Sequence, residues 1–226
     1  MPLFPRHLAC AAGALLLSLG AHAATFQAHV VDKQGQPVPG AVLTLQGPGK
    51  GSAQASAVMD QRDKQYVPRV LPVHTSTAVA FPNNDNIRHQ VYSFSPAKRF
   101  ELKLYEGTPA APVVFDKPGV VVLGCNIHDW MMGYIYVTDD PWFTATDAQG
   151  NARFADLPAG KYRVTLWHPQ SADMQPQPQG EIQVDDKGLS HDYALAVEPL
   201  PADTPQAPAP SAFGDAFGKA ARETSK

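Results

Sequence analysis

The sequence predicts an all-β protein. Three observations carry that expectation. Short runs alternate apolar and polar residues at a period of two, turn residues separate those runs, and no segment keeps a helical period for ten residues without Gly or Pro intervening. An antiparallel sandwich is the economical way to bury the apolar faces of so many short strands.

Taken in order, Phe26-Gln-Ala-His-Val30 alternates, Lys33-Gln-Gly35 turns, and Ala41-Val-Leu-Thr-Leu45 resumes as strand. Val67, Val70, Val73, Val79 and Phe81 mark extended segments, and Pro82-Asn-Asn-Asp-Asn86 marks a turn. Val91-Tyr-Ser-Phe94 and Phe100-Glu-Leu-Lys-Leu-Tyr105 alternate cleanly. Val113–Phe115 and Val120–Leu123 are parted by the turn Asp116-Lys-Pro-Gly119, and a further strand runs from Gly133 to Val137. Beyond it, Thr146 to Phe154 reads as strand, turn, strand, and Leu157 to His168 adds another extended stretch.

Residues 1–23 have the form of a cleaved signal peptide. Arg6 and His7 open it, Leu8 to Leu19 form its apolar run, and Ala21-His-Ala23 supplies an A-x-A cleavage pattern. The run is too short to span a bilayer, so export to the periplasm without stable membrane insertion is expected. Cys10 would leave with the leader, making Cys125 the one cysteine of the mature chain. At the other end, the Pro/Ala-rich stretch from Pro199 cannot sustain a helix or a central strand, so 199–226 is expected to be a flexible tail. Phe213 and Phe217, four apart, leave open a short docking helix within it.

The formal net charge is -3, and no basic stripe offers a surface to nucleic acid. Hydrolysis is not indicated: neither G-x-S-x-G nor H-E-x-x-H occurs, and Asp129 has no evident catalytic partner. An enzyme is therefore not expected.

The chemistry concentrates in Cys125-Asn-Ile-His128-Asp-Trp-Met131, with His89 upstream. A lone cysteine in an exported chain pairs with another molecule, stays a thiol, or binds something. One thiolate, two imidazoles and a thioether form the donor set of a blue-copper centre, where soft sulfur suits Cu(I) and imidazole accommodates Cu(II). Cys125 ends an apolar strand, His128 and Met131 lie in the loop behind it, and His89 begins the strand after the Asn-rich turn. Ordinary alternatives stand beside each: a buried inert thiol for Cys125, a turn histidine satisfied by Asp85 for His89, a surface residue for His128, core filling for Met131. Trp130 is either core or, with Met132, part of an apolar contact face beside His128.

Three resemblances follow. Val31-Asp-Lys-Gln-Gly35-Gln-Pro-Val-Pro-Gly-Ala41 and Leu157-Pro-Ala-Gly-Lys-Tyr-Arg-Val-Thr-Leu-Trp-His168 resemble the transthyretin-like, or carboxypeptidase-regulatory, β-sandwich family. Its two halves here lie on opposite sides of roughly ninety residues, and each alone has too few strands to bury a core. Residues 24–50 plus 143–197 are therefore expected to form one sandwich, with 57–141 inserted at a turn, where insertion is best tolerated; one continuous irregular sandwich is the alternative. The inserted part resembles the plastocyanin and amicyanin group of cupredoxins through Phe81-Pro-Asn-Asn-Asp85, His89-Gln-Val, and Cys125-x2-His128-x2-Met131, the short spacing of amicyanin. The whole arrangement resembles exported proteins often labelled "methylamine utilization protein", through Met59-Asp-Gln61 and Gly124-Cys-Asn-Ile-His-Asp129.

The resemblance implies a Greek-key cupredoxin sandwich holding one type 1 copper ion. His89, Cys125 and His128 would be its equatorial ligands and Met131 its axial ligand. It also implies single-electron transfer with a transient redox protein partner. The chain departs from the pattern at His89-Gln90, where many cupredoxins have His-Asn; Asn126 is a candidate for the missing amide. It departs again in the adjacent pair Met131-Met132, of which only one can readily face a metal. A copper carrier, a zinc site and a non-catalytic binding sandwich are the competing functions, thioether ligation arguing against zinc.

Overall fold

The computed structural model describes residues 24–51 and 54–198, so the expected leader and tail lie outside the described residues. The described chain is all-β, with no helix among its described residues and none long and apolar enough to cross a membrane. In order the strands are β1 (Ala24–Val31), β2 (Val42–Gln46), β3 (Ser56–Val58), β4 (Asp60–Arg62), β5 (Gln65–Val67) and β6 (Val70–His74). Next come β7 (Thr77–Ala80), β8 (His89–Ser95), β9 (Lys98–Tyr105), β10 (Val113–Phe115), β11 (Gly119–Leu123) and β12 (Gly133–Thr138). The last five are β13 (Trp142–Ala145), β14 (Asn151–Leu157), β15 (Gly160–Trp167), β16 (Gln177–Val184) and β17 (Leu189–Ala194).

Two sheets are built from the first two strands and the last five. β1 lies between β14, antiparallel, and β17, parallel. The other sheet runs β13-β2-β15-β16, wholly antiparallel, with Leu45 opposite Val164. The alternation expected at the start of the chain places Phe26, Ala28 and Val30 inward, where they meet Leu43, Leu45, Phe154 and Leu166 in one core. Phe26 and Phe154 stack with centroids 6.0 Å apart. Two turns of the same design serve this core: one Asp32 oxygen accepts from the N–H groups of Gln34 and Gln36, and one Asp147 oxygen from those of Gln149 and Asn151. At the second turn a side chain on Gly150 (φ +76) would lie 2.5 Å from the Val30 carbonyl, so only glycine fits.

The intervening strands enclose a second core of Met59, Tyr66, Val79, Phe81, Leu123 and Ile135 among others. Around it stand β10-β7-β3, β11-β12-β6, and the hairpins β4-β5 and β8-β9. β8 touches β11 where Tyr92 and Gly124 exchange backbone bonds of 3.1 and 3.0 Å.

β12 is buried along its whole length, which alternation alone does not explain. One face enters the second core through Ile135 and Val137. The other, Tyr134 and Tyr136, packs on Trp167 from β15, with Val42 and Val70 alongside. The Trp167 ring lies 6.0 Å from Tyr134 and 5.3 Å from Tyr136, and its Nε1–H donates to the Met174 carbonyl at 2.9 Å. Nearby, buried His168 bridges the Pro39 carbonyl and the Gln170 N–H at 3.2 Å each. Burial pushes its pKa down to about 4, so it does this as a neutral ring at neutral pH.

Candidate metal centre

The loop after β11 is held at both ends by one residue. The Tyr66 hydroxyl donates to the Gly124 carbonyl at 2.9 Å, while its ring packs so closely on Gly133 that a side chain there would come within 2.8 Å. Burial first, then the neighbouring Cys125 thiol, push the Tyr66 hydroxyl well above its usual pKa, so it stays a donor. Within the loop the Met131 N–H donates to the His128 carbonyl at 2.9 Å, a tight turn that sends consecutive side chains in different directions. Met131 is 1% exposed and packs in the same core as Cys125; Met132 is 41% exposed.

His89 opens β8 and is fully buried. Its approach is shaped by Asn83, whose Nδ2 donates to the carbonyls of Ile87 and Tyr105 and whose Oδ1 accepts from the Asp85 N–H. Asp85 then meets the His89 ring, Oδ2 to Nε2, at 2.6 Å. Burial opposes the charge on Asp85, but hydrogen bonds from Lys64, His89 and Asp63 outweigh it and hold the carboxyl below its ordinary pKa. The Nε2–H points at Asp85, which orients the ring, and Nδ1 faces Cys125 Sγ at 3.8 Å.

His128 completes the group. Its ring lies 5.1 Å from His89 and 5.2 Å from Trp130, centroid to centroid. Burial, then His89 and Lys64, lower its pKa against an opposing pull from Asp85, which favours the neutral ring. Donor atoms of His89, Cys125 and His128 all fall within 4.8 Å of one another. The structure thus brings these three together, with Met131 buried in the adjoining core and Trp130 at the surface, 40% exposed.

Two further contacts bear on the departures noted in the sequence. Asn126 Nδ2 donates to Gln90 Oε1 at 2.8 Å, and Gln90 Nε2 donates to Glu101 at 2.7 Å. The longer amide at position 90 therefore reaches the loop through Asn126, and the two segments that carry the histidines are tied. The contact with Asp85, an alternative to ligation when read from sequence, occupies only Nε2 and leaves Nδ1 facing the Cys125 sulfur.

The donors fit a metal. Nδ1 of His128 is buried without a hydrogen-bond partner, a costly state for a polar atom unless something else occupies its lone pair. Thiolate and imidazole sit about 2.3 and 2.0 Å from a first-row ion, so a trigonal pair of them stands about 3.7 Å apart. The 3.8 Å between Cys125 Sγ and His89 Nδ1 is that spacing.

No family model matches this chain, and comparison with curated proteins found no match. Solved structures do match part of it. A novel purple cupredoxin from Nitrosopumilus maritimus aligns at 22% identity and TM-score 0.32, over 38% of this chain and 100% of that one. An oxidised amicyanin variant aligns at 17% identity and TM-score 0.34, over 42% of this chain and 99% of its own length. A Cu(I) form of another amicyanin variant aligns at 20% identity and TM-score 0.34, over 42% and 99%.

Asp85→Asn removes the charge that orients His89 while keeping its size. Were a metal held here, loss of such a partner to its imidazole ligand would weaken the affinity by about 10- to 100-fold. Competition with a copper chelator measures it, and an unchanged affinity would show that the His89 ring is held by packing alone.

Proposed function

We propose that residues 57–141 hold one type 1 copper ion and that the protein carries single electrons between redox partners in the periplasm. His89 Nδ1, Cys125 Sγ and His128 Nδ1 serve as equatorial donors and Met131 as the axial donor. The observation that carries this reading is the buried, partnerless His128 Nδ1 close to the Cys125 thiol and the His89 ring. In the same reading 57–141 is a cupredoxin domain inserted into a transthyretin-like sandwich of 24–50 plus 143–197.

Bound copper supplies one-electron chemistry; the chain supplies rigidity. Asp85 fixes one imidazole, Tyr66 fixes both ends of the ligand loop, and the Gln90–Asn126 bond ties that loop to β8. Donors held this way rearrange little between oxidation states. Four protein donors also leave no position for a substrate, which favours an electron carrier over an enzyme. A copper carrier would need to release its ion, and the buried, clamped donors support retention instead. Exposed Trp130, in ring contact with His128, and its near neighbour in the chain Ile127 suit the small interface of a short-lived redox encounter.

The test is reconstitution of apo-protein with Cu(II). One copper per chain, an intense thiolate-to-copper band and a reversible one-electron couple are expected. Preferential retention of zinc, with no band under Cu(II), would sink the reading. The axial role is tested separately. Met131→Leu removes the thioether and makes the site more apolar, so the midpoint potential moves while copper stays bound. Met132→Leu moves it little. A reversal of the two results exchanges the roles, and an unchanged potential in both leaves the axial position to another group.

A further inference from the structure

The donor cluster approaches the surface at two places. One is the His128 edge, where the residue is 8% exposed and its ring is flanked by Trp130. The other is a groove of about 360 Å³ on the Cys125 side, walled by Tyr92, Phe94, Leu123, Cys125, Asp129 and Met132. Its shape is built in. Gly124 admits the Tyr92 ring so closely that a side chain there would meet it at 2.7 Å, and Phe94, 75% exposed, stands against Tyr92 at 5.3 Å.

The chemistry of the groove is selective. Its walls are mainly apolar, its one carboxylate is Asp129, and its one exposed soft donor is the Met132 thioether. The cost of taking an ion out of water rises with the square of its charge, so Cu(II) is about four times as expensive to admit as Cu(I). Thioether and thiolate bind the softer Cu(I), and a single carboxylate balances a single positive charge.

We infer that this groove is the route by which Cu(I) reaches the site, with Met132 as the first ligand and Asp129 as its counter-charge. The inference rests on the copper reading above. Met132 takes the ion from its delivery complex, whose ligands remain in solution, and passes it inward to the Cys125 sulfur. As the sulfur–copper bond forms, the S–H bond breaks and its proton leaves to water; copper stays Cu(I) throughout. The adjacent methionines then have separate tasks, one at the mouth and one inside.

The test loads apo-protein anaerobically with Cu(I) supplied as its acetonitrile complex. Aliquots are taken at intervals, unbound ion is scavenged with a chelator, ferricyanide oxidises what has loaded, and the charge-transfer band is read. Met132→Leu is expected to slow loading by about tenfold, the effect of raising a barrier by about 1.4 kcal/mol, and to reach the wild-type end point. Asp129→Asn also slows it, Ile127→Ala does not, and loading with aqueous Cu(II) is insensitive to Met132→Leu. Equal Cu(I) rates in wild type and Met132→Leu would overturn the route. So would a rate unmoved by Met132→Leu but raised by Trp130→Ala, which would place loading at the His128 edge. A wild-type protein that never develops the band fails the copper reading itself, a different result from a band that forms at an unaltered rate.

Discussion

Cys125→Ser is expected to abolish the visible band completely. Among the described residues no other side chain can provide a thiolate, and a serine hydroxyl gives no low-energy charge transfer to copper. The fold should survive, because serine nearly matches cysteine in size, although a buried hydroxyl without a partner costs about 1–3 kcal/mol. Absorption and far-ultraviolet circular dichroism, recorded on the same copper-treated sample, separate the two effects. A variant that keeps its colour would remove Cys125 from the centre and the proposed function with it.

Trp167→Ala carries the largest expected loss of stability. The indole is fully buried where the core of the terminal strands meets β12, against the Tyr134 and Tyr136 rings. Truncating a buried tryptophan costs about 3–5 kcal/mol, and here the Met174 carbonyl also loses its donor. Because Trp167 joins elements from distant parts of the chain, denaturant unfolding should turn from one transition into two, the copper band and the circular dichroism signal no longer lost together. A single transition displaced by less than about 1 kcal/mol would show that other contacts hold the two cores together.

What could be read from the sequence depended on how local the determining interaction was. β1, β8 and β9 were legible because alternation is written into consecutive residues. The donor types were legible because three of them share one short loop. β12 reads as an ordinary strand, yet its full burial depends on Trp167, which the sequence offers only as the end of another extended stretch. Tyr66 was missed as the clamp on the ligand loop, since its partners Gly124 and Gly133 lie far along the chain and no spacing marks them. Asp85 was visible only as an alternative to ligation. Two nitrogens on one ring permit both contacts at once, and a linear reading sets them against each other.

The pairing of β1 with β17 has a consequence for how the chain reaches this structure. The first strand has no partner until β14 and β17 have formed, and Thr146 reaches back 108 residues to the Val38 carbonyl. Closing so long a loop carries an entropic cost before any contact offsets it, so this step falls late. The β3–β12 segment has its sheet partners within itself and can condense first. During that interval Phe26, Val30, Leu43 and Leu45 remain uncovered, a sticky pair of segments exposed to a chaperone or to a second chain. Refolding yield should therefore fall with protein concentration more steeply for the full chain than for the β3–β12 segment alone.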